Sequence, residues 1–213
     1  ASAMMVMLVS GFVVQYALKG FGEHAIAAYG IALRIEQILL LPVLGMTGAL
    51  LPIAAQNFGA GNYDRVREAV WFCWKRGVIM TIGAAPILWF GGETAMSLFT
   101  NDRPVIEVGV SYLRVDSFLF VIYMMLFSIN SFLQALKRPE WTLWISIYRQ
   151  GCGIAFFGWL LVGLFGRDVW GVWLGIGIAV STGWAFALWI AAKIAREEIG
   201  GLRKTPTPSV GTS

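Results

Sequence analysis

Long apolar runs, broken by short polar stretches, set the pattern of this chain. A helix needs roughly 20 mostly apolar residues to cross the hydrocarbon core of a bilayer. Segments rich in glycine, proline or charge separate the runs and are typical of helix ends. The pattern therefore predicts an all-α, polytopic membrane protein with six transmembrane helices, over about 2–18, 26–57, 69–90, 107–136, 140–165 and 169–194.

The second predicted span is longer than a bilayer is thick. Its 32 residues, 26–57, would reach roughly 48 Å as a helix, against a hydrocarbon core of ~30 Å. The helix must therefore tilt, bend or project from the membrane. Pro42 and Pro52 are the predicted bend points, because each removes a backbone donor and crowds the preceding turn.

Basic residues are distributed unequally between the two sides that six spans define. Cytoplasmic loops of membrane proteins carry an excess of lysine and arginine, so the richer side is predicted to be cytoplasmic and both chain ends lie there. The Gly/Pro/Ser/Thr-rich segment 197–213 is predicted to be a disordered cytoplasmic tail behind a membrane bundle of residues 1–196. We expect the inner membrane as the location. The richer side holds Arg65, Arg67, Lys75, Arg76, Lys137, Arg138, Lys193, Arg196, Arg203 and Lys204, and the other side holds Lys19, Arg103 and Arg167.

Composition agrees with a chain solvated mainly by lipid. Charged residues make up 13% and the mean hydropathy is +0.71, whereas soluble domains carry about 25% charged residues. The net charge of +4 follows from the loop asymmetry, so a nucleic-acid partner is not expected. The sole histidine, His24, falls in an outer loop, and no HExxH, CxxC or phosphate-binding glycine loop occurs. We therefore expect no enzyme activity, no cofactor and no metal centre.

Five charged residues nevertheless fall inside predicted spans: Arg34, Glu36, Arg114, Asp116 and Arg149. Arginine or aspartate at a helix centre costs roughly 2.5–3.5 kcal/mol, so such residues normally face a partner or a cavity. Glu36 sits about 15 Å into its helix and lies about 200° around it from Arg34, so the two are not neighbours. Our hypothesis is that Glu36 responds to protons or cations, pairing with Arg114 or Arg149 in one conformation. The alternative is a permanent ion pair that only locks helices together.

Uncharged polar residues within the spans complete the set of candidate substrate- or ion-coupling residues. Asparagine and glutamine in hydrocarbon usually form hydrogen bonds between helices, so packing is the alternative role for each. The candidates are Gln15, Gln37, Tyr123, Asn130 and Gln134.

Three stretches resemble the multidrug and toxic compound extrusion (MATE) family, in particular its second six-helix half. They are "AIAAYGIALRIEQILLLPVLGMTGALLPIAAQNFGAGNYDRVREA" at 25–69, "LFTNDRPVIEVGVSYLRV" at 98–115 and "SFLQALKRPEW" at 131–141. The resemblance implies one bundle of a two-bundle, twelve-helix antiporter that exports lipophilic cations or toxic compounds against protons or sodium ions by alternating access. Its partners would be the lipid bilayer, the N-terminal half and a small-molecule substrate. The missing initiator methionine suggests a fragment that begins inside a helix.

The sequence departs from the family at two acidic positions. Several sodium-coupled members carry an acid in the first helix of this half and another in the fourth. Here the first-helix region around Met7 has no acid, and the corresponding part of the fourth helix falls near Tyr123. Glu36 is therefore the expected replacement, with Asp116 second. Alternatives left open are an exporter or flippase of lipid-linked or natural-product substrates, and a structural bundle that does not transport.

Overall fold

The structure, a computed structural model, describes residues 18–20, 22–153, 156, 160 and 169–202. Within these residues the elements are helices and no strand occurs, which confirms the predicted all-α class. The elements are α1 (Glu23–Gly59), α2 (Tyr63–Ser97), α3 (Arg103–Ala135), α4 (Pro139–Ser146), a π-helical segment (Ile147–Gly153) and α5 (Val169–Ile199).

Four of these helices, α1, α2, α3 and α5, are long and apolar enough to cross a membrane. They correspond to the second, third, fourth and sixth predicted spans. The fifth predicted span begins as α4 and the π-helical segment, and most of its remainder lies outside the described residues, as does the first predicted span except Leu18. The polytopic class is thus confirmed, whereas the count of six is not shown.

Helix α3 is the centre of the bundle, because it packs against α1, α2 and α5. Its side chains are buried around most of the helix, and Leu113, Phe120 and Met124 are fully buried. Trp173 of α5 is fully buried as well. Burial against three neighbouring helices is what makes α3 the central element of the described bundle.

Glycines let α2 and α3 approach each other closely. A Cβ at Gly77 of α2 would lie 2.2 Å from Cε of Met124, and a Cβ at Gly109 of α3 would lie 2.2 Å from Cε of Met96. In each helix the absence of a side chain at a glycine leaves space that a methionine side chain of the other helix occupies. Close approach through small residues is the usual basis of helix packing in membranes.

Polar contacts tie the helix ends together at both ends of the bundle. At one end the Arg67 guanidinium donates to the backbone carbonyls of Ile199 and Gly201, the latter at 2.7 Å, and Arg138 pairs with Glu198 at 2.8 Å. At the other end His24 Nδ1 lies 3.1 Å from Asp102 Oδ2, and Arg103 pairs with Glu93 at 2.7 Å. Helix α2 therefore runs antiparallel to α1 and α3, whereas α3 and α5 end at the same end of the bundle and run in the same direction.

Helix α1 is the longest element, with 37 residues. At 1.5 Å per residue it measures about 56 Å, well beyond the ~30 Å hydrocarbon core. The helix continues through Pro42 and Pro52 without interruption. A helix of this length must tilt, bend or project from the membrane, and the bends at Pro42 and Pro52 stay a prediction.

Candidate functional site

A buried hydrogen bond connects α1 and α3 in the middle of the bundle. The Tyr112 hydroxyl donates to Oε2 of Glu36 at 2.9 Å. Both side chains are buried, with Glu36 8% exposed. Glu36 thus finds its hydrogen-bond partner on another helix, since Arg34, two residues before it, is exposed on a different side of α1.

A second carboxylate lies beside the first. Asp116 follows Tyr112 by four residues and therefore occupies the same face of α3. It is 1% exposed and interacts electrostatically with Glu36. Within the described part of the chain, neither of its carboxylate oxygens has a hydrogen-bond partner. We call Glu36, Tyr112 and Asp116 the acidic cluster.

Aromatic rings enclose the acidic cluster on one side. The Tyr112 ring contacts Tyr29 edge-on, with centroids 5.3 Å apart, and Trp173 at 4.9 Å. Tyr29 stacks on Trp173 at 5.9 Å. The Trp173 indole N–H donates to Ser111 Oγ at 3.0 Å, which orients the indole ring. These contacts fix the Tyr112 ring and keep water from one side of Glu36.

Arg149 brings a positive charge towards the acidic cluster from the π-helical segment. It interacts electrostatically with Glu36 and Tyr123. No carboxylate lies within ion-pair distance of Arg149 among the described residues, which leaves the Glu36 carboxylate without a direct cationic partner there. The stem of Arg149 crosses Gly183 of α5, where an added Cβ would lie 2.9 Å from Cβ of Arg149. Segments of π-helix often occur at functional sites.

The acidic cluster has the chemistry of a site for a small hard cation or a proton. Two buried carboxyl groups interact with each other, and one guanidinium, that of Arg149, interacts with Glu36, so ionising both carboxyl groups leaves an excess of negative charge. Carboxylate and hydroxyl oxygens are the ligands that hard cations prefer. Burial makes an uncompensated charge costly, and a bound cation or proton removes that cost.

The structure brings together four of the predicted site residues, Glu36, Asp116, Tyr123 and Arg149. The other described candidates lie elsewhere. Asn130 is partly buried, and its Oδ1 has no hydrogen-bond partner among the described residues. The exposed candidates are Arg34, Gln37, Arg114 and Gln134. Gln15 lies outside the described residues.

Three site residues were missed by the sequence reasoning: Tyr29, Tyr112 and Trp173. Spacing offers a signal for two of them. Tyr29 precedes Glu36 by seven residues, or two helical turns, and Tyr112 precedes Asp116 by four. Trp173 has no such signal, because its contact depends on how α5 packs against α1 and α3.

The chain matches a protein-family model and is similar in sequence to known transport proteins. The family model described as MatE matches residues 1–159. The chain is 31% identical to multidrug export protein MepA of Staphylococcus aureus over 111 residues, which are 50% of this chain and 23% of that protein. It is 33% identical to an FAD transporter of Shewanella oneidensis over 96 residues, which are 45% of this chain and 21% of that protein.

Solved structures show the same fold at low sequence identity. One, described as the outward-facing conformation of a multidrug resistance MATE family transporter of the MOP superfamily, has a TM-score of 0.86 and 21% identity. Another, a MOP superfamily transporter from Pyrococcus furiosus, has a TM-score of 0.85 and 21% identity. Both comparisons cover 95% of this chain and 45% of the other chain. The chain therefore spans less than half the length of these relatives.

Proposed function

Because the chain belongs to the MatE family, we propose that it is the C-terminal six-helix half of a cation-coupled antiporter. An N-terminal half would complete the transporter, and the two bundles would alternate between inward- and outward-facing states. Coverage of 45% of the similar solved chains supports the assignment to one half. The multidrug export relative supports drugs as cargo, and the lipophilic or cationic character of the cargo is what the family resemblance implies.

The acidic cluster is the observation that carries this proposal. A buried carboxyl group with no hydrogen-bond partner among the described residues, Asp116, lies beside a second carboxyl group on another helix. Intramembrane acids of this kind mark ion pathways in transporters. Binding of a cation removes repulsion between Glu36 on α1 and Asp116 on α3. Entry and release of the ion therefore change the energy of packing α1 against α3.

The coupling ion is a proton or Na⁺. Either neutralises the negative charge of the acidic cluster, and Tyr112 supplies a hydroxyl oxygen in addition to the carboxylates. The energetic requirement for antiport is that ion and cargo favour opposite states of the same equilibrium. An inward gradient of the ion then drives export of the cargo.

The basic residues support a particular orientation in the membrane. We propose an inner-membrane protein whose α1–α2 connection, α3–α4 connection and α5 C-terminus face the cytoplasm. The contacts of Arg67 with Ile199 and Gly201, and of Arg138 with Glu198, support a common side for these segments. The excess of lysine and arginine on that side supports a cytoplasmic position.

The test is transport by the complete transporter in proteoliposomes. Proton and Na⁺ gradients are imposed separately, and the cargo panel contains cationic dyes and FAD, since one relative is an FAD transporter. We expect gradient-driven transport of at least one compound by the wild type. Glu36→Gln and Asp116→Asn should each reduce this transport at least tenfold, because each removes a charge that the ion neutralises.

A matched control distinguishes the acidic cluster from acidic residues in general. Glu107 lies on α3 with Asp116 but is exposed, so Glu107→Gln should transport at the wild-type rate. Wild-type gradient dependence in both Glu36→Gln and Asp116→Asn would rule out the acidic cluster as the coupling site. Absence of gradient-driven transport of the whole panel by the wild type would contradict the antiporter proposal.

A further inference from the structure

A groove on the surface of the bundle, separate from the acidic cluster, runs between α2, α3 and α5. It encloses about 440 Å³. Its walls are apolar and aromatic except for Arg114 of α3, the one charged residue of the lining, and Ser181 of α5. The residues that the argument uses are Trp89, Arg114, Phe118, Trp170, Leu174 and Ile178.

Arg114 lies on the other side of α3 from the acidic cluster. Asp116 follows it by two residues, which places the two side chains about 200° apart around the helix. The Arg114 side chain is exposed, whereas Asp116 is 1% exposed. The groove is therefore not an extension of the proposed ion site, and the inference does not depend on the identity of the coupling ion.

The charge of Arg114 is not neutralised by the described part of the chain. No carboxylate there lies within ion-pair distance. Its guanidinium carbon lies 5.9 Å from the centre of the Trp89 ring, a cation–π contact that leaves the hydrogen-bond donors of the fork free. An arginine guanidinium whose N–H groups are free can donate two parallel hydrogen bonds to a phosphate.

The side chain of Arg114 can reach towards the headgroup region from its position in the outer part of the span. It lies seven residues inside the predicted outer boundary of its span at residue 107, which is about 10 Å along the helix axis. A long arginine side chain reaches from this depth to the interface by snorkelling. Trp170 begins the groove at the same end of the bundle, and tryptophan is enriched at membrane interfaces.

Below Arg114 the groove is suited to an acyl chain. Phe118 lies one turn further along α3 and is 70% exposed. Leu174 and Ile178 line the facing side of α5 one turn apart, and both are exposed. An apolar channel that continues from a cationic entrance towards the membrane centre has the shape and polarity of a lipid with an anionic headgroup.

We propose that this groove binds an anionic glycerophospholipid from the outer leaflet, with its phosphate on Arg114 and an acyl chain along Phe118, Leu174 and Ile178. An anionic lipid is favoured over a zwitterionic one for a specific reason. The phosphate of a zwitterionic lipid is already paired with the ammonium of its own headgroup. The unpaired charge of Arg114 therefore gains more from a phosphate that has no such partner.

The test is the lipid that the purified complete transporter retains. The protein is equilibrated with equal amounts of phosphatidylglycerol and phosphatidylcholine, and bound lipid is counted by native mass spectrometry. We expect the wild type to retain phosphatidylglycerol preferentially. Arg114→Gln should reduce the ratio of the two lipids about tenfold, which corresponds to ~1.4 kcal/mol of discrimination. Arg34→Gln, which removes another exposed arginine within a predicted span, should leave the ratio unchanged.

A second variant tests the acyl-chain part independently of the charge. Ile178→Trp fills the groove and should reduce retention of both lipids while Arg114 remains. Three results would each overturn the proposal. They are a wild type without lipid preference, an equal change of the ratio in Arg34→Gln and Arg114→Gln, and unchanged retention in Ile178→Trp. The measurement on Ile178→Trp tests the lipid proposal even when Arg114→Gln fails to fold.

Discussion

Tyr112 has two roles that one substitution separates. Its ring packs against Tyr29 and Trp173, and its hydroxyl donates to Glu36. Within the described residues this is the one hydrogen bond that Glu36 receives. A hydrogen bond to a charged group contributes ~1.5–3 kcal/mol, so the hydroxyl has a large effect on the energy of the Glu36 carboxylate. Tyr112 therefore contributes to the proposed ion site both through the Glu36 carboxylate and through its own hydroxyl oxygen.

We expect Tyr112→Phe to fold normally and to transport about tenfold more slowly at a limiting ion gradient. The ring contacts remain, whereas Glu36 loses its donor. The measurement is the initial transport rate against the size of the imposed gradient, together with the melting temperature of the purified protein. Tyr63→Phe is the control, because Tyr63 is exposed at the start of α2. An unchanged gradient dependence in Tyr112→Phe would remove Tyr112 from the site.

At the residue scale, sequence spacing predicts direction around a helix but not contact between helices. The two-residue spacing of Arg34 and Glu36 indicates that they face different surroundings, and the structure has one exposed and the other buried. The contact of Glu36 with Tyr112 depends on the register of α1 against α3, which no local pattern contains. The contacts of Arg67 could likewise not be predicted from the sequence. It counts as a loop charge in the sequence but is 8% exposed and caps the end of α5.

At the scale of elements, small residues decide how closely the π-helical segment approaches α5. Gly153 faces Ala179, and Arg149 crosses Gly183, so contacts recur at four-residue intervals on both elements. A Cβ at Gly153 would lie 3.2 Å from Cβ of Ala179. Helices that approach through small residues pack tightly, which here fixes the backbone that carries Arg149. The position of Arg149 relative to the acidic cluster thus depends on Gly183.

We expect Gly183→Ala to lower the melting temperature and to slow transport. The new methyl group would lie 2.9 Å from Cβ of Arg149, so the arginine stem or α5 must shift, a change that costs ~1–3 kcal/mol in a packed interior. Gly83→Ala is the matched control, because nothing lies within 4 Å of a Cβ there. Alanine favours helix over glycine by ~1 kcal/mol, so Gly83→Ala should be neutral or stabilising. Equal melting temperatures for the two variants would contradict the close contact.

Apolar length was enough to predict most of the described elements. The second, third, fourth and sixth predicted spans are continuous helices, because in hydrocarbon every backbone donor must be satisfied within the segment. The change from α4 to π-helix at Ile147 was not predicted. Its residues, "IYRQGCG", have no proline and no periodic signal that distinguishes i→i+5 from i→i+4 hydrogen bonds. Tertiary packing against α5 is the remaining determinant.

At the scale of the whole molecule, the two ends of the bundle differ in charge. The end at which Arg67 and Arg138 contact the C-terminal end of α5 is the basic one. At the opposite end the described basic residues of the helix connections are Lys19 and Arg103. Cytoplasmic loops carry the excess of lysine and arginine, and acidic residues contribute little to this bias. The orientation proposed above follows from this difference.

Single cysteines at the two ends test this orientation in intact cells. We expect a membrane-impermeant maleimide to label Asn101→Cys from outside, and Asn62→Cys only after the cells are broken, since both positions are exposed in connections between helices. The background replaces Cys73, which is buried, and Cys152 by alanine. Transport by each variant confirms that it is folded. The reverse labelling would place α2's start outside, and the lipid on Arg114 would then come from the inner leaflet, because Arg114 lies towards the Arg103 end of α3.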